Sequence, residues 1–211
     1  MNVAGISLGE IMKISPVFDI LLICLIGAII VGIERALTYK RLSMDKNSFM
    51  KKIKEAVATS RYDEAIHYSA QENKPLPRMV SVALTNRDKS PEDIAELMEA
   101  SRMEERVKLE KSLGVLGTLG NTAPFIGLLG TVIGIIRAFK LLEHSAGDPT
   151  VIMVGIAEAL ITTAMGLFVA IPCVMVFNAF MGKVKNWYTE MEVVSKELLA
   201  EMGTIPIKKK A

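Results

Sequence analysis

One carboxylate and three hydroxyls stand apart in this sequence, because each lies in a stretch with almost no other polar chemistry. Glu158 falls about 15 Å along a helix that would start at Asp148-Pro149. An ionisable group at that depth in an apolar helix is expensive, and it marks an ion path or a polar partner. The bland alternative is that the apolar run begins only at Ala159, leaving Glu158 at an interface. Thr131, Thr162 and Thr163 place hydroxyls in otherwise apolar runs. Such hydroxyls could hydrate or relay a proton, or could simply bond their own helix carbonyls three or four residues back. Helical spacing puts Thr162 about 40° from Glu158, on one face, and Thr163 about 140° away. Met165 and Val169 continue the Glu158 face, so a lumen lined by it would be mostly apolar with one polar band. That suits a sleeve around another protein's helix better than a water-filled channel.

Other chemistries find no support in residue types or spacing. Cys24 and Cys173 both fall in apolar runs and read as small packing residues. His67 and His144 are isolated, with no metal-ligand spacing. Gly114, Gly117 and Gly120 follow no strand and cannot be a dinucleotide fingerprint. With no phosphate loop and no nucleophile–base pair, the chain is not expected to be an enzyme, to need a cofactor or to hold a metal. A net charge of +2 is too small to argue for nucleic acid.

These four residues need long apolar elements to position them, and the composition supplies such elements. The chain has 211 residues, 51% hydrophobic and 23% charged, with a mean hydropathy of +0.36. An ordinary charge fraction beside so high a hydropathy means that charged and apolar residues are segregated. Ser112 to Ile136 is 25 residues without a charge, and Ala159 to Gly182 is another 24. Both exceed the roughly 18 residues a spanning helix needs. Ile20 to Ile33 is only 14, but its apolar character continues on both sides and its flanking charges can snorkel. A cleaved signal peptide fits poorly, with one basic residue before the run and no small-x-small site after it.

The expected fold is therefore an all-α membrane protein with three transmembrane helices. Its segments are residues 1–42 (N-terminal segment and first span), 43–112 (a charged helical domain), 113–142 (second span), 148–182 (third span) and 183–211 (tail). Lys and Arg gather after the first span, before the second and after the third. That bias puts the N-terminus outside, with the helical domain and tail in the cytoplasm. Arg35, Lys40 and the Lys208 to Lys210 run read as interfacial anchors to anionic lipid.

Within the charged domain, Phe49, Ile53, Ala56 and Val57 predict a helix over Asp45 to Thr59. A second runs from Arg61 to Gln71 and ends at the Lys74-Pro75-Leu76-Pro77 breaker. Ser90-Pro91-Glu92-Asp93 is a start signal, and the helix after it is expected to run straight into the second span. The third span, Pro149 to Gly182, would be about 51 Å long against a hydrocarbon core of about 30 Å. No strand is expected. Gly127, Gly130 and Gly134, with Gly155/Ala159 and Gly166/Ala170, form small-xxx-small patterns that let helices approach closely. The partner helix could belong to the same chain or to another subunit. Pro124 and Pro172 permit bends in the second and third spans.

Two long motifs resemble those of a known family. Asn121 to Phe139 (NTAPFIGLLGTVIGIIRAF) is similar to the second-span signature of the ExbB/TolQ/MotA proton channels, and Gly155 to Asn178 resembles the third. The Glu34-Arg35 pair and the long charged loop fit as well. The resemblance implies a homopentamer in the bacterial inner membrane around single-span helices of an ExbD/TolR-like partner, whose aspartate takes the proton. Proton flow would drive rotation, and the work would pass to a TonB-like energy transducer. Thr131, Glu158 and Thr163 match the family's span threonines and glutamate, whereas Thr162 is favoured by geometry alone. Among branches, an ExbB-like subunit for outer-membrane transport is favoured, and the short chain and short outer turn fit that branch or the TolQ one. A TolQ-like subunit for envelope integrity is the alternative, and a passive membrane scaffold without ion conduction is a rival of another class.

Overall fold

A computed structural model describes residues 2–3, 6–7, 16–144 and 149–204. Seven helices carry the described chain: α1 Pro16–Leu42, α2 Lys46–Ala58, α3 Tyr62–Gln71, α4 Pro75–Thr85, α5 Pro91–Glu110, α6 Leu113–His144 and α7 Pro149–Thr204. Contrary to expectation there is a strand pair, of two residues each: β1 Asn2–Val3 runs antiparallel to β2 Ile6–Ser7. Three of the helices, α1, α6 and α7, are long and apolar enough to cross a membrane.

The chain divides into two compact units, each discontinuous in sequence. The first takes residues up to Arg35 together with Ser112–Phe180, which holds α6 and the first part of α7. The second takes Ala36–Lys111 and Met181–Ala211. In this second unit α2 to α5 fold around Phe49, Ile53, Val57, Met79, Val80, Leu84 and Met98, all buried. Local signals explain most of their boundaries. The Asp45 carboxylate accepts from the Asn47 and Ser48 amides at 3.0 and 3.3 Å. Ser90 Oγ likewise accepts from the Asp93 amide at 3.1 Å, satisfying donors that a helix start leaves free.

Three expectations are corrected here. Lys74-Pro75-Leu76-Pro77 does not merely end a helix; it begins α4, with Pro75 at the first helical position. Proline is suited there because its missing N–H is not needed and its φ is preset. The helix entering the second span is not continuous either. Lys111 turns extended (ψ 135) and Ser112 takes a left-handed φ of 64, which neither proline nor glycine announces. Finally, the last helix does not stop at Gly182. It runs for 56 residues to Thr204, because Val184, Met191, Val194 and Leu198 form a buried stripe at helical spacing. Met191, Val194 and Leu198 join the core of the second unit, and Lys54 pairs with Glu197 and Glu201 at 3.1 and 3.5 Å. Burying such a stripe outweighs the roughly 1 kcal/mol that a mid-helix glycine costs. The Lys208 to Lys210 run lies outside the described residues.

Candidate functional site

In the first unit α6 and α7 run antiparallel along a seam of small residues. A Cβ placed on Gly127 would stand 2.9 Å from the Thr162 carbonyl oxygen, 3.0 Å from the Thr163 Cα and 3.2 Å from the Gly166 Cα. One on Gly134 would meet the Ala159 Cβ at 2.7 Å, and one on Gly155 the Ala138 Cβ at 2.5 Å. On Gly130 it would meet Thr162 Oγ1 at 2.5 Å and Val17 of α1 at 3.1 Å. Backbones thus lie in contact where larger side chains would hold them apart. Within one chain, Gly127, Gly130, Gly134, Gly155 and Gly166 all face the neighbouring helix of the same molecule. Ala138 belongs to the same row, four residues beyond Gly134, although the sequence patterns had singled out only the glycines before it.

Helix α1 covers one side of this pair through Val17, Phe18, Leu21 and Ala28, all buried. A Cβ on its Gly32 would lie 3.9 Å from Val176. Neither internal proline ends its helix: α6 passes through Pro124 and α7 through Pro172.

The three threonines use their hydroxyls differently. Thr131 Oγ1 donates to the Leu128 carbonyl at 2.7 Å, within its own helix. Thr162 is 2% exposed and donates to the Ala159 carbonyl at 2.7 Å, with the Gly127 carbonyl oxygen at 3.5 Å. Thr163 instead crosses the seam and donates to the Gly127 carbonyl at 3.1 Å. Its proton is committed between helices, leaving the oxygen lone pairs to accept.

Glu158 is half-buried, and its carboxylate makes no hydrogen bond or ion pair among the described residues. It lies on the α1 side of α7, since it shares a face with Val176 five turns away, the residue that Gly32 approaches. Thr163 sits about 140° round, on the other flank, with Ala159 and Thr162 buried between. A single chain therefore does not gather the carboxylate and the hydroxyls into one cluster; the seam divides them. Arg35 is 6% exposed and its guanidinium pairs with the Glu34 carboxylate. Lys40 is exposed. Both cysteines are free thiols, and no metal-holding cluster occurs among the described residues.

A small-residue seam thus joins two long apolar helices, flanked by a lone carboxylate and by a seam-crossing hydroxyl. The sequence pattern of the MotA/TolQ/ExbB proton channel family matches residues 71–193, more than half of the chain. The chain belongs to this family. The match takes in α4 to α6 and most of α7, including all four singled-out polar residues.

Two relatives and one structure illustrate the range of the MotA/TolQ/ExbB family. The Tol-Pal system protein TolQ of Pseudomonas aeruginosa is 44% identical over 93 residues, which is 44% of this chain and 40% of that protein. The putative biopolymer transport protein ExbB-like 1 of Synechocystis sp. is 30% identical over 195 residues, covering 90% of this chain and 77% of its own length. Thus the chain matches less than half of TolQ but most of the ExbB-like protein. Among solved structures, a chain of the C. jejuni MotAB structure superposes with a TM-score of 0.60 at 22% identity, covering 93% of this chain and 83% of that one. At that identity the likeness establishes the fold.

Proposed function

We propose that this chain is the ring-forming subunit of an ExbB-type motor of the bacterial inner membrane, converting proton motive force into mechanical work. In this reading five copies surround single-span helices of an ExbD-like partner, and the work passes to a TonB-like transducer for outer-membrane transport. The proton is the ion moved, no cofactor is needed and no bond of a substrate is broken. The N-terminus faces the periplasm, the helical unit and C-terminus face the cytoplasm, and Lys40 meets anionic headgroups.

The observation that supports this best is the Glu158 carboxylate, half-buried in a candidate span and without a partner among the described residues. A carboxylate in that setting calls for a polar counterpart. A partner helix bearing a protonatable aspartate supplies one: a proton passed between the two acids leaves a single negative charge, which the acid holding the proton hydrogen-bonds. On the opposite flank of the seam, Thr131 and Thr163 retain acceptor lone pairs that would hydrate such a helix from the neighbouring copy of the ring, while Thr162 keeps the seam closed.

The test is proton flux through the reconstituted complex with its partner. Glu158→Ala and Glu158→Gln are expected to abolish partner-dependent flux and energy-dependent uptake while the assembled mass is unchanged. Normal uptake in both variants would overturn the proposal. A TolQ-like role draws support from the 44% identity to TolQ. It predicts loss of envelope integrity rather than loss of receptor-mediated uptake when the gene is deleted.

A further inference from the structure

Two carboxamides in the candidate spans have no role in the reading above. Asn121 of α6 and Asn178 of α7 are both exposed, and neither makes a hydrogen bond among the described residues. Their depths differ. Asn178 lies five residues before Lys183, about 7.5 Å along the axis, close to an interface. Asn121 lies nine residues beyond Ser112 in a charge-free run whose midpoint is Pro124. It is therefore about 4.5 Å from the middle of that run. At such a depth an unpartnered amide facing lipid is strongly disfavoured, because hydrocarbon offers it nothing to bond.

Both side chains also point away from α1. Gly130 is the position on α6 that Val17 of α1 approaches, and Asn121 is nine residues earlier, about 180° round the helix. Val176 is the position on α7 that Gly32 of α1 approaches, and Asn178 is about 200° round from it. Thr163, also remote from the α1 side, lies on this same flank of α7. Polar groups thus recur on the surface of α6 and α7 opposite α1. In contrast, α1 presents Ile20, Ile23, Ile26, Ile30 and Ile33 outward, all at least half exposed.

We infer that the α6–α7 surface turned away from α1 is wetted, and that Asn121 binds water on it as a mid-membrane station of the proton path. The inference rests on the proton-channel reading and adds a residue and a face to it. With two N–H donors and one carbonyl acceptor, a carboxamide can hold a water on each side. It can thereby keep a water chain continuous through a lumen whose other walls, such as Leu128 and Leu167, are apolar. The amide gains and loses no proton itself. It orients the waters along which a hydrated proton passes.

Water access can be read separately from proton flow. In the full complex with Cys24→Ala and Cys173→Ala, Asn121→Cys is labelled with a small, positively charged thiosulfonate that reacts with the thiolate and so needs water at the site. Labelling at least tenfold faster than Ile23→Cys, 70% exposed on α1, is expected. Labelling as slow as Ile23→Cys would overturn the inference, and would place Asn121 in a dry contact between subunits. Partner-dependent proton flux provides the second arm. Asn121→Leu should lower it about tenfold and Asn121→Gln should restore most of it, whereas undiminished flux in Asn121→Leu would count against a water station. Because labelling does not depend on conduction, protection at position 121 would leave the Glu158 proposal standing. Conversely, a failed Glu158 test would leave the wetted face measurable.

Discussion

The Thr163 hydroxyl reaches across the helix seam to the Gly127 carbonyl oxygen, 3.1 Å away. That bond joins α7 to α6 at the point where a Cβ on Gly127 would touch the Thr163 Cα at 3.0 Å. The threonine that matches the family motif is therefore also a tie between the two helices that carry the site. Thr163→Val keeps the shape and removes the tie. It should destabilise the folded protein by about 0.6–1 kcal/mol, the usual worth of an interhelical hydrogen bond in membranes, while Thr163→Ser should retain most of it. Reversible unfolding in mixed micelles measures the difference, and equal stability of the valine and wild-type proteins would refute the tie.

Seam closeness can be tested by size reversal. Gly134→Ala would drive a methyl to within 2.7 Å of the Ala159 Cβ, an overpacking expected to cost about 1–3 kcal/mol. Adding Ala159→Gly should recover much of that loss, since the pair then presents one methyl instead of two. Two additive penalties in the double variant would mean that the residues are not in contact. At Gly182 a Cβ would have open space around it, so Gly182→Ala should stabilise by about 0.5–1 kcal/mol through helix propensity.

The late part of α7 is integral to the second unit. Leu198 is fully buried in its core, and Leu198→Ala should cost about 2–5 kcal/mol. Chemical denaturation followed by Trp187 fluorescence reports on this unit, because Trp187 stacks edge-on against Tyr39 at 5.3 Å. An unchanged midpoint would show that the tail helix is dispensable to the core.

Acid should weaken the same unit through Glu192. Its carboxyl is held below the usual carboxylate range, first by the hydrogen bond from Lys196 at 2.8 Å and then by Arg102 at 3.0 Å. Because the folded-state value lies below the unfolded one, the contribution is present above the ordinary carboxylate range and lost as the pH falls through and below it. Glu192 is solvent-exposed, so the effect should be small and should shrink in high salt. Thermal unfolding as a function of pH should show a shallower acid limb for Glu192→Gln than for the parent. Parallel limbs would remove Glu192 from the acid response.

Much of the architecture was readable from residue order alone. Charge-free runs located the three long apolar helices, since length and segregation are local properties that no neighbour can alter. The start signal at Ser90 was legible for the same reason: a side chain bonding an amide three residues on needs no tertiary context. Glu158 was visible as the carboxylate that segregation did not explain. The stripe Val184, Met191, Val194 and Leu198 is also present in the sequence, but Gly182 with Lys183 and Lys185 has the composition of a helix end.

Tertiary structure decided what periodicity could not. Whether the glycines faced another subunit or the same chain depended on which helix came to lie against them, and that is a long-range choice. Spacing alone put Thr162 with Glu158, yet the α6 backbone buried Thr162 in the seam and turned Thr163 into a cross-helix donor. The break at Lys111-Ser112 left no mark in residue type, because serine takes a left-handed conformation only at a local cost and no sequence signal announces it. Even for Glu158 the sequence supplied only chemical type and depth. Its placement on the α1 side, with Thr163 on the other flank, arose when three apolar helices packed and the seam of small residues chose which faces would meet.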